Sequence, residues 1–161
     1  MSEEFCRLRA RQLLAEVGLD GPPVDVERVA HLLGLKIRQA SRARGYQGKL
    51  LQQRMEIEVN KKIDRRQQRL AIAHEIGHYV LGHTPVVAAF NGRTSIDPHR
   101  INEWQADSFA AELLMPEAWV RARGTPKPDY HALAEVFGVS DEQMFARLEH
   151  LGMLGLQRRW R

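Results

Sequence analysis

Residues 70–83 read Leu70-Ala71-Ile72-Ala73-His74-Glu75-Ile76-Gly77-His78-Tyr79-Val80-Leu81-Gly82-His83. Leu70, Ala73, Ile76, Gly77, Val80 and Leu81 recur at helical spacing. Asp64 upstream is a cap and Gly82 a stop, so the pattern predicts a long helix from about 64 to 82. His74 and His78 fall one turn apart and about 40° apart around such a helix, because each residue advances 100°. Two imidazoles so placed reach one metal ion. Glu75 is displaced from that pair, which suits it to an attacking water rather than to the metal. An HExxH string also occurs on solvated helices, but two features argue against that reading. Ile76, Gly77 and Val80 put this face near the core. A mid-helix glycine costs about 1 kcal/mol relative to alanine, so Gly77 points to another backbone packed against it.

A catalytic mononuclear metal needs a third protein ligand and an open position. The downstream candidates are His83, Asp97, His99, Glu103, Asp107 and Glu112. Asp97-Pro98 is a cap-and-first-turn signal for a second long helix, which runs to about Met115 before Pro116. Its expected inward stripe is Ile101, Ala106, Phe109, Ala110, Leu113 and Leu114. Glu103 and Asp107 stand at i and i+4 on one face of this helix, a face otherwise apolar with Ala106, Phe109, Ala110 and Leu113. Glu103 can ligate, and Asp107 can accept the free ring N–H of a ligating histidine. A carboxylate pair on an otherwise buried face needs a cation or donors to satisfy it. Acids near a helix start also complement its dipole. His83 and His99 stay open as alternatives to Glu103.

Outward from these two helices the elements are shorter. A helix is predicted over 3–17 with Phe5, Leu8, Leu13, Leu14 and Val17 inward. Pro22-Pro23 breaks the chain, Asp25 caps a helix over 26–33, and Gly34 ends it. Leu35 and Ile37 suggest a short strand. Tyr46–Leu51 and 55–60 read as a strand pair, the second with Met55, Ile57 and Val59 alternating against polar residues. The turn between them, Gln52-Gln53-Arg54, contains no glycine. Residues 83–96 read as loop, and short helices follow at 117–122, 129–137 and 141–151. The last begins with a capping box, Ser140 with Gln143, and Val139 can staple onto Met144.

The chain has 161 residues, 43% hydrophobic and 27% charged. That is ordinary globular composition, which excludes a disordered, collagenous or disulfide-built chain. The length suggests one domain. The longest apolar run, Val86–Phe90, is far short of the ~20 residues of a membrane helix, and the N-terminus carries no secretory apolar stretch. With Cys6 as its one cysteine, the expected setting is the reducing cytoplasm, with no membrane contact. Residues 36–69 carry eleven Lys or Arg against three acids, whereas 129–156 carry five acids against Arg147.

The combination HEIGHYVLGH followed by EWQADSFAAELLMP resembles the ImmA/IrrE family of metallopeptidases. The likeness extends to PVDVERVAHLLGLKI, MEIEVN and LAEVFGVSDEQMFARLEHLGML, nearly the whole chain. The element order and the E-x-x-x-D of the second helix also resemble thermolysin-like zincins. The implied fold is α+β and zincin-like, mostly helical with a small sheet of about three strands packed on the HExxH helix. It is expected as one metallopeptidase domain over 1–161. Residues 1–34 would be N-terminal helices, 35–63 the sheet, 64–122 the active-site helices, and 123–161 a helical pair and tail.

The resemblance implies Zn²⁺, or Mn²⁺, held by His74, His78 and Glu103. It implies Glu75 as general base and Asp107 as the residue orienting a ligand ring. It implies a protein substrate, a helix-turn-helix repressor cleaved to derepress genes in stress, DNA damage or mobile-element regulation. Neither a C-terminal sensor domain nor a fused N-terminal repressor domain is expected. The substrate is expected to lie extended along 46–51 if that strand is an edge. Tyr46, Tyr79, His83 and His99 are the candidates for stabilising the oxyanion.

Two other function classes compete. One is a metal-bound regulatory or antitoxin-like module with little peptidase activity. The other is a DNA-binding factor. Leu133–Ser140 is similar to a helix-turn-helix corner, but a recognition helix presents its N-terminal residues to the groove, and here those are Asp141 and Glu142. The basic stretch 36–69 leaves DNA contact open as a minor route. Trp104 and Trp119 are expected to pack structurally, and the tail Arg158–Arg161 to fray. Nothing in the sequence sets the oligomeric state.

Overall fold

The computed structural model describes residues 1–43, 45–83, 98–124 and 127–154. In chain order the described residues form α1 (Glu3–Glu16), α2 (Val26–Leu32), β1 (Lys36–Ala40), β2 (Gly48–Leu51), β3 (Glu56–Asn60), α3 (Arg65–Val80), α4 (Pro98–Leu114), α5 (Glu117–Arg123), α6 (Tyr130–Phe137) and α7 (Asp141–His150). The architecture is α+β, mostly helical, with a small three-stranded mixed sheet. No helix of the described residues is long and apolar enough to cross a membrane.

Asp64 starts α3. Its side chain accepts from the Arg66 and Gln67 backbone N–H groups at 2.8 and 3.1 Å, two of the donors a helix start leaves without partners. Ala71, Ile72, Ala73, Ile76 and Gly77 are buried along it. The cap expected at Asp97 lies outside the described residues. At the other end of the chain the Ser140–Gln143 capping box starts α7, and Val139 and Met144 are both fully buried.

The sheet order is β1-β3-β2, with β1 parallel and β2 antiparallel to β3. Ile57 and Val59 of the central strand are fully buried, while Glu56 and Glu58 alternate with them on the other face. There Arg38 pairs with both glutamates, and Lys49 stands opposite Glu58 in register. Of the basic residues in this region, Arg38 is thus ion-paired within the sheet. The turn without glycine closes as a single 3-10 turn over Gln52–Arg54, and Met55 supplies the left-handed residue at φ 50°. The third strand accordingly begins at Glu56 rather than Met55. β2 is an edge.

The inward stripes differ from expectation on α1 and α4. On α1, Cys6 and Ala10 join Leu13 and Leu14 in the core, while Phe5 and Leu8 are exposed. Small side chains face inward because α1 packs closely along α4. Ile101 and Trp104, on the first turns of α4, are exposed rather than packed, because these turns extend beyond the core to the site rim. Trp119 is partly buried against the core.

Glu112 of α4 is completely buried among cations that composition alone does not locate. Its carboxylate pairs with Arg7 of α1 at 3.2 Å and with Arg147 of α7, and accepts from the Glu117 backbone N–H at 3.2 Å. Arg147 also donates to the Met115 carbonyl at 3.0 Å. One carboxylate thus ties together α1, α4, α5 and α7.

Glu112→Ala leaves Arg7 and Arg147 without their shared counter-charge. Removing one partner of a buried pair costs about 3–5 kcal/mol, and urea unfolding followed by circular dichroism is expected to register that loss. Glu117 gives a pH signature. Its hydrogen bond from Arg121, aided by the Arg7 charge, holds its carboxyl below the usual 4.5. A depressed folded value contributes stability above the unfolded value and loses it as pH falls through the folded one. The stability gap between wild type and Glu117→Gln is therefore expected at neutral pH and should close as pH falls through the depressed folded value.

Candidate metal centre

α3 and α4 cross where Gly77 meets Ala106. A Cβ on Gly77 would lie 3.1 Å from the Ala106 carbonyl oxygen and 3.1 Å from the Phe109 ring. The backbone expected against Gly77 is therefore that of α4. This close approach puts side chains from both helices into one cleft. His74 Nε2 lies 2.9 Å from His78 Nε2. Glu103 reaches both, with one carboxylate oxygen 3.3 Å from His74 Nε2 and the other 3.4 Å from His78 Nε2. The three ligand atoms lie within 4.8 Å of one another. A tetrahedral ion with bonds of about 2.0–2.1 Å holds its ligands about 3.3 Å apart, so the spacing fits one divalent cation.

The donor set supports that fit chemically. His74 Nδ1 lies 2.8 Å from Asp107 Oδ1. A carboxylate only accepts, so Nδ1 carries the proton and a neutral His74 turns an Nε2 lone pair into the cleft. There it meets the Glu103 carboxylate, another electron-pair donor. Burial lowers the His74 pKa, but the Asp107 hydrogen bond and the nearby Glu75 and Glu103 charges outweigh it and hold it above the ordinary value. The cleft thus attracts positive charge. His78 is pushed down to about 4 by burial and by the neighbouring His74 and His83, which keeps its ring neutral.

Glu75 lies beside the triad. Burial raises its pKa despite the proximity of His74. One of its oxygens accepts from the Leu50 backbone N–H of β2 at 2.9 Å. Gly48 allows this approach, since a Cβ there would lie 3.1 Å from Ala71 Cβ and 3.2 Å from Glu75 Cγ. Leu50 and Gly48 gave no signal in the sequence, because a backbone N–H looks the same at every residue. The cleft encloses about 300 Å³, and Gly48, Leu50 and Gln52 form its strand wall.

The remaining candidates are placed elsewhere. Glu112 follows Glu103 by nine residues, which puts it on the opposite side of α4, in the arginine cluster. Both His83 ring nitrogens are engaged, with His78 Nδ1 at 3.0 Å and Gln105 Oε1 at 2.9 Å. His99 is mostly exposed, 3.7 Å from Glu103. Asp97 lies outside the described residues. Asp107 is exposed at the rim, not on the buried face expected for it, because it sits at the edge of the α4 stripe. Of the oxyanion candidates, His83 and His99 line the cleft, whereas Tyr46 donates its hydroxyl to Glu58 at 2.7 Å.

Comparison with known proteins gives a family and a fold. The family model described as Peptidase_M78, IrrE N-terminal-like domain, matches residues 32–149. No curated protein matches the chain significantly in sequence. Among solved structures, a Mycobacterium tuberculosis transcriptional regulator has a similar fold, with a TM-score of 0.72 at 18% identity. The similarity covers 96% of this chain and 48% of that one, so the chain spans about half the length of that regulator.

A wedge at the crossing should open the site. Gly77→Val is expected to lose about 1–3 kcal/mol of stability by overpacking. It should also bind zinc more weakly than wild type in a calorimetric titration, because Glu103 moves away from the two histidines.

Proposed function

Because the chain belongs to the IrrE N-terminal-like peptidase family, Peptidase_M78, we propose that it is a zinc-dependent endopeptidase of the HExxH type. The observation that carries this reading is the convergence of His74, His78 and Glu103 from two helices onto one cation-sized point. These three would hold the ion, with Asp107 orienting His74. Manganese is the other ion that two histidines and a carboxylate accept. A bound divalent ion supplies Lewis acidity toward water and toward the peptide carbonyl.

The chain's own groups do the rest. Glu75 takes a proton from the attacking water and returns it to the leaving amine. The Leu50 N–H holds one Glu75 oxygen and leaves the other for that water. Burial raises the Glu75 pKa, which makes it a stronger base than an exposed glutamate. The substrate would add as a strand to the β2 edge. Gln47 turns its carbonyl toward β3, accepting from Asn60, so strand alternation turns the Gly48 N–H and carbonyl and the Leu50 carbonyl outward for a substrate, while the outward Leu50 N–H goes to Glu75.

The finer proposal is that the substrate is a helix-turn-helix transcriptional repressor in the cytoplasm. Its support is the ImmA/IrrE resemblance of the motif strings. The structure offers less to the DNA-binding reading, since Arg38 of the basic stretch is taken up by Glu56 and Glu58 on the sheet.

The test is a cleavage assay with zinc-loaded protein on purified helix-turn-helix repressors, read by intact mass. A single cut is expected. Glu75→Gln should keep the zinc stoichiometry and lose about 10²–10⁴-fold in rate. No cleavage of any repressor, or equal cleavage by Glu75→Gln, would overturn the corresponding part of the proposal.

A further inference from the structure

His78 is held from behind by a chain of buried polar groups. Gly82 at φ 70° ends α3, and the His83 N–H donates back to the His78 carbonyl at 3.0 Å while the Gly82 N–H donates to Tyr79 at 3.2 Å. This is the paired bonding of a glycine-terminated helix, and it folds the residue after the glycine back under the last turn. The His83 ring therefore lies against the His78 ring, Nδ1 to Nδ1 at 3.0 Å. Its other nitrogen faces Gln105 Oε1 of α4 at 2.9 Å, and Gln105 Nε2 lies 2.8 Å from the Met1 carbonyl. His83 and Gln105 are both buried.

The direction of every bond in this chain is forced from its far end. The Met1 carbonyl only accepts, so the Gln105 amide nitrogen must face it. Gln105 Oε1 then faces His83 and also only accepts, so His83 Nε2 must carry a hydrogen. A neutral His83 therefore has a bare Nδ1, and His78 must supply the hydrogen between the two Nδ1 atoms. His78 is left with a lone pair on Nε2, aimed into the cleft beside His74 and Glu103.

We infer that His83 and Gln105 are positioning residues that lock His78 in its Nδ1–H tautomer, with Nε2 free to bind the metal. They do for His78 what Asp107 does for His74, with a neutral relay in place of a carboxylate. Both ligand rings are then fixed before an ion arrives. Asp107 balances charge at the exposed rim, and the uncharged relay serves the buried side, where a carboxylate would cost more to desolvate. This inference rests on the metal-site reading proposed above.

The test reads protons first and metal second. ¹⁵N-resolved imidazole spectra of the wild-type protein, metal-free and zinc-loaded, are expected to show His83 protonated at Nε2 and His78 at Nδ1. Zinc affinity is then compared by chelator competition among folded variants. His83→Leu is expected to bind zinc about 10–100-fold more weakly, as loss of an orienting partner does. His83→Asn should recover most of that loss, because its side-chain oxygen takes the place of Nδ1 as acceptor. Gln105→Leu should weaken zinc binding and let His83 adopt the other tautomer.

His83 protonated at Nδ1 in wild type would overturn the inference. So would wild-type zinc affinity in folded His83→Leu. If wild type takes up no zinc, the metal-site reading fails, and the tautomers of the metal-free protein still decide the relay on their own.

Discussion

The structure depends on two helices meeting where one of them has no side chain. At Gly77 the carbonyl of Ala106 and the ring of Phe109 come as close as an added Cβ would barely tolerate. A glycine inside a helix costs about 1 kcal/mol of intrinsic stability. Here that cost is offset by the fully buried packing of Ile76, Phe109 and Ala110 around the crossing. The same approach sets the distance between the α3 imidazoles and the α4 carboxylate. Packing and site geometry are therefore one variable.

α4 carries three carboxylates with three surroundings. Glu103 and Asp107 are one turn apart at the rim and face the α3 histidines. Glu112, on the opposite side, is fully buried among arginines from α1 and α7. One helix thus presents electron pairs to the cleft on one side and anchors both ends of the chain on the other. Arg69 plays a comparable part for α3, donating to the Gly138 and Phe137 carbonyls at the end of α6.

Much of this was legible in the sequence because it is local. Asp64, Asp25 and Ser140 are all side-chain caps in the structure, and the Ser140–Gln143 box is complete. The 3.6-residue period also brought His74, His78, Glu103 and Asp107 to notice, and the fold gathers them. What was not legible depends on partners distant in the chain. Glu112 looked like a possible ligand until its face of α4 was set by Arg7 and Arg147. His83 looked like one until Gln105, 22 residues on, claimed its second nitrogen. Cys6 and Ala10 gave no apolar stripe because close helix packing favours small residues over large ones. The Leu50 amide had no signature at all, since its role comes from strand register.

In the β1-β3-β2 order β2 leaves one edge of the sheet without a strand partner, and such an edge is a template for unwanted self-association. β2 limits that hazard by its dimensions. It is only four residues long, it carries an exposed lysine at position 49, and its Leu50 N–H is already occupied by Glu75. A second copy of the sheet finds too few free amides there to polymerise along.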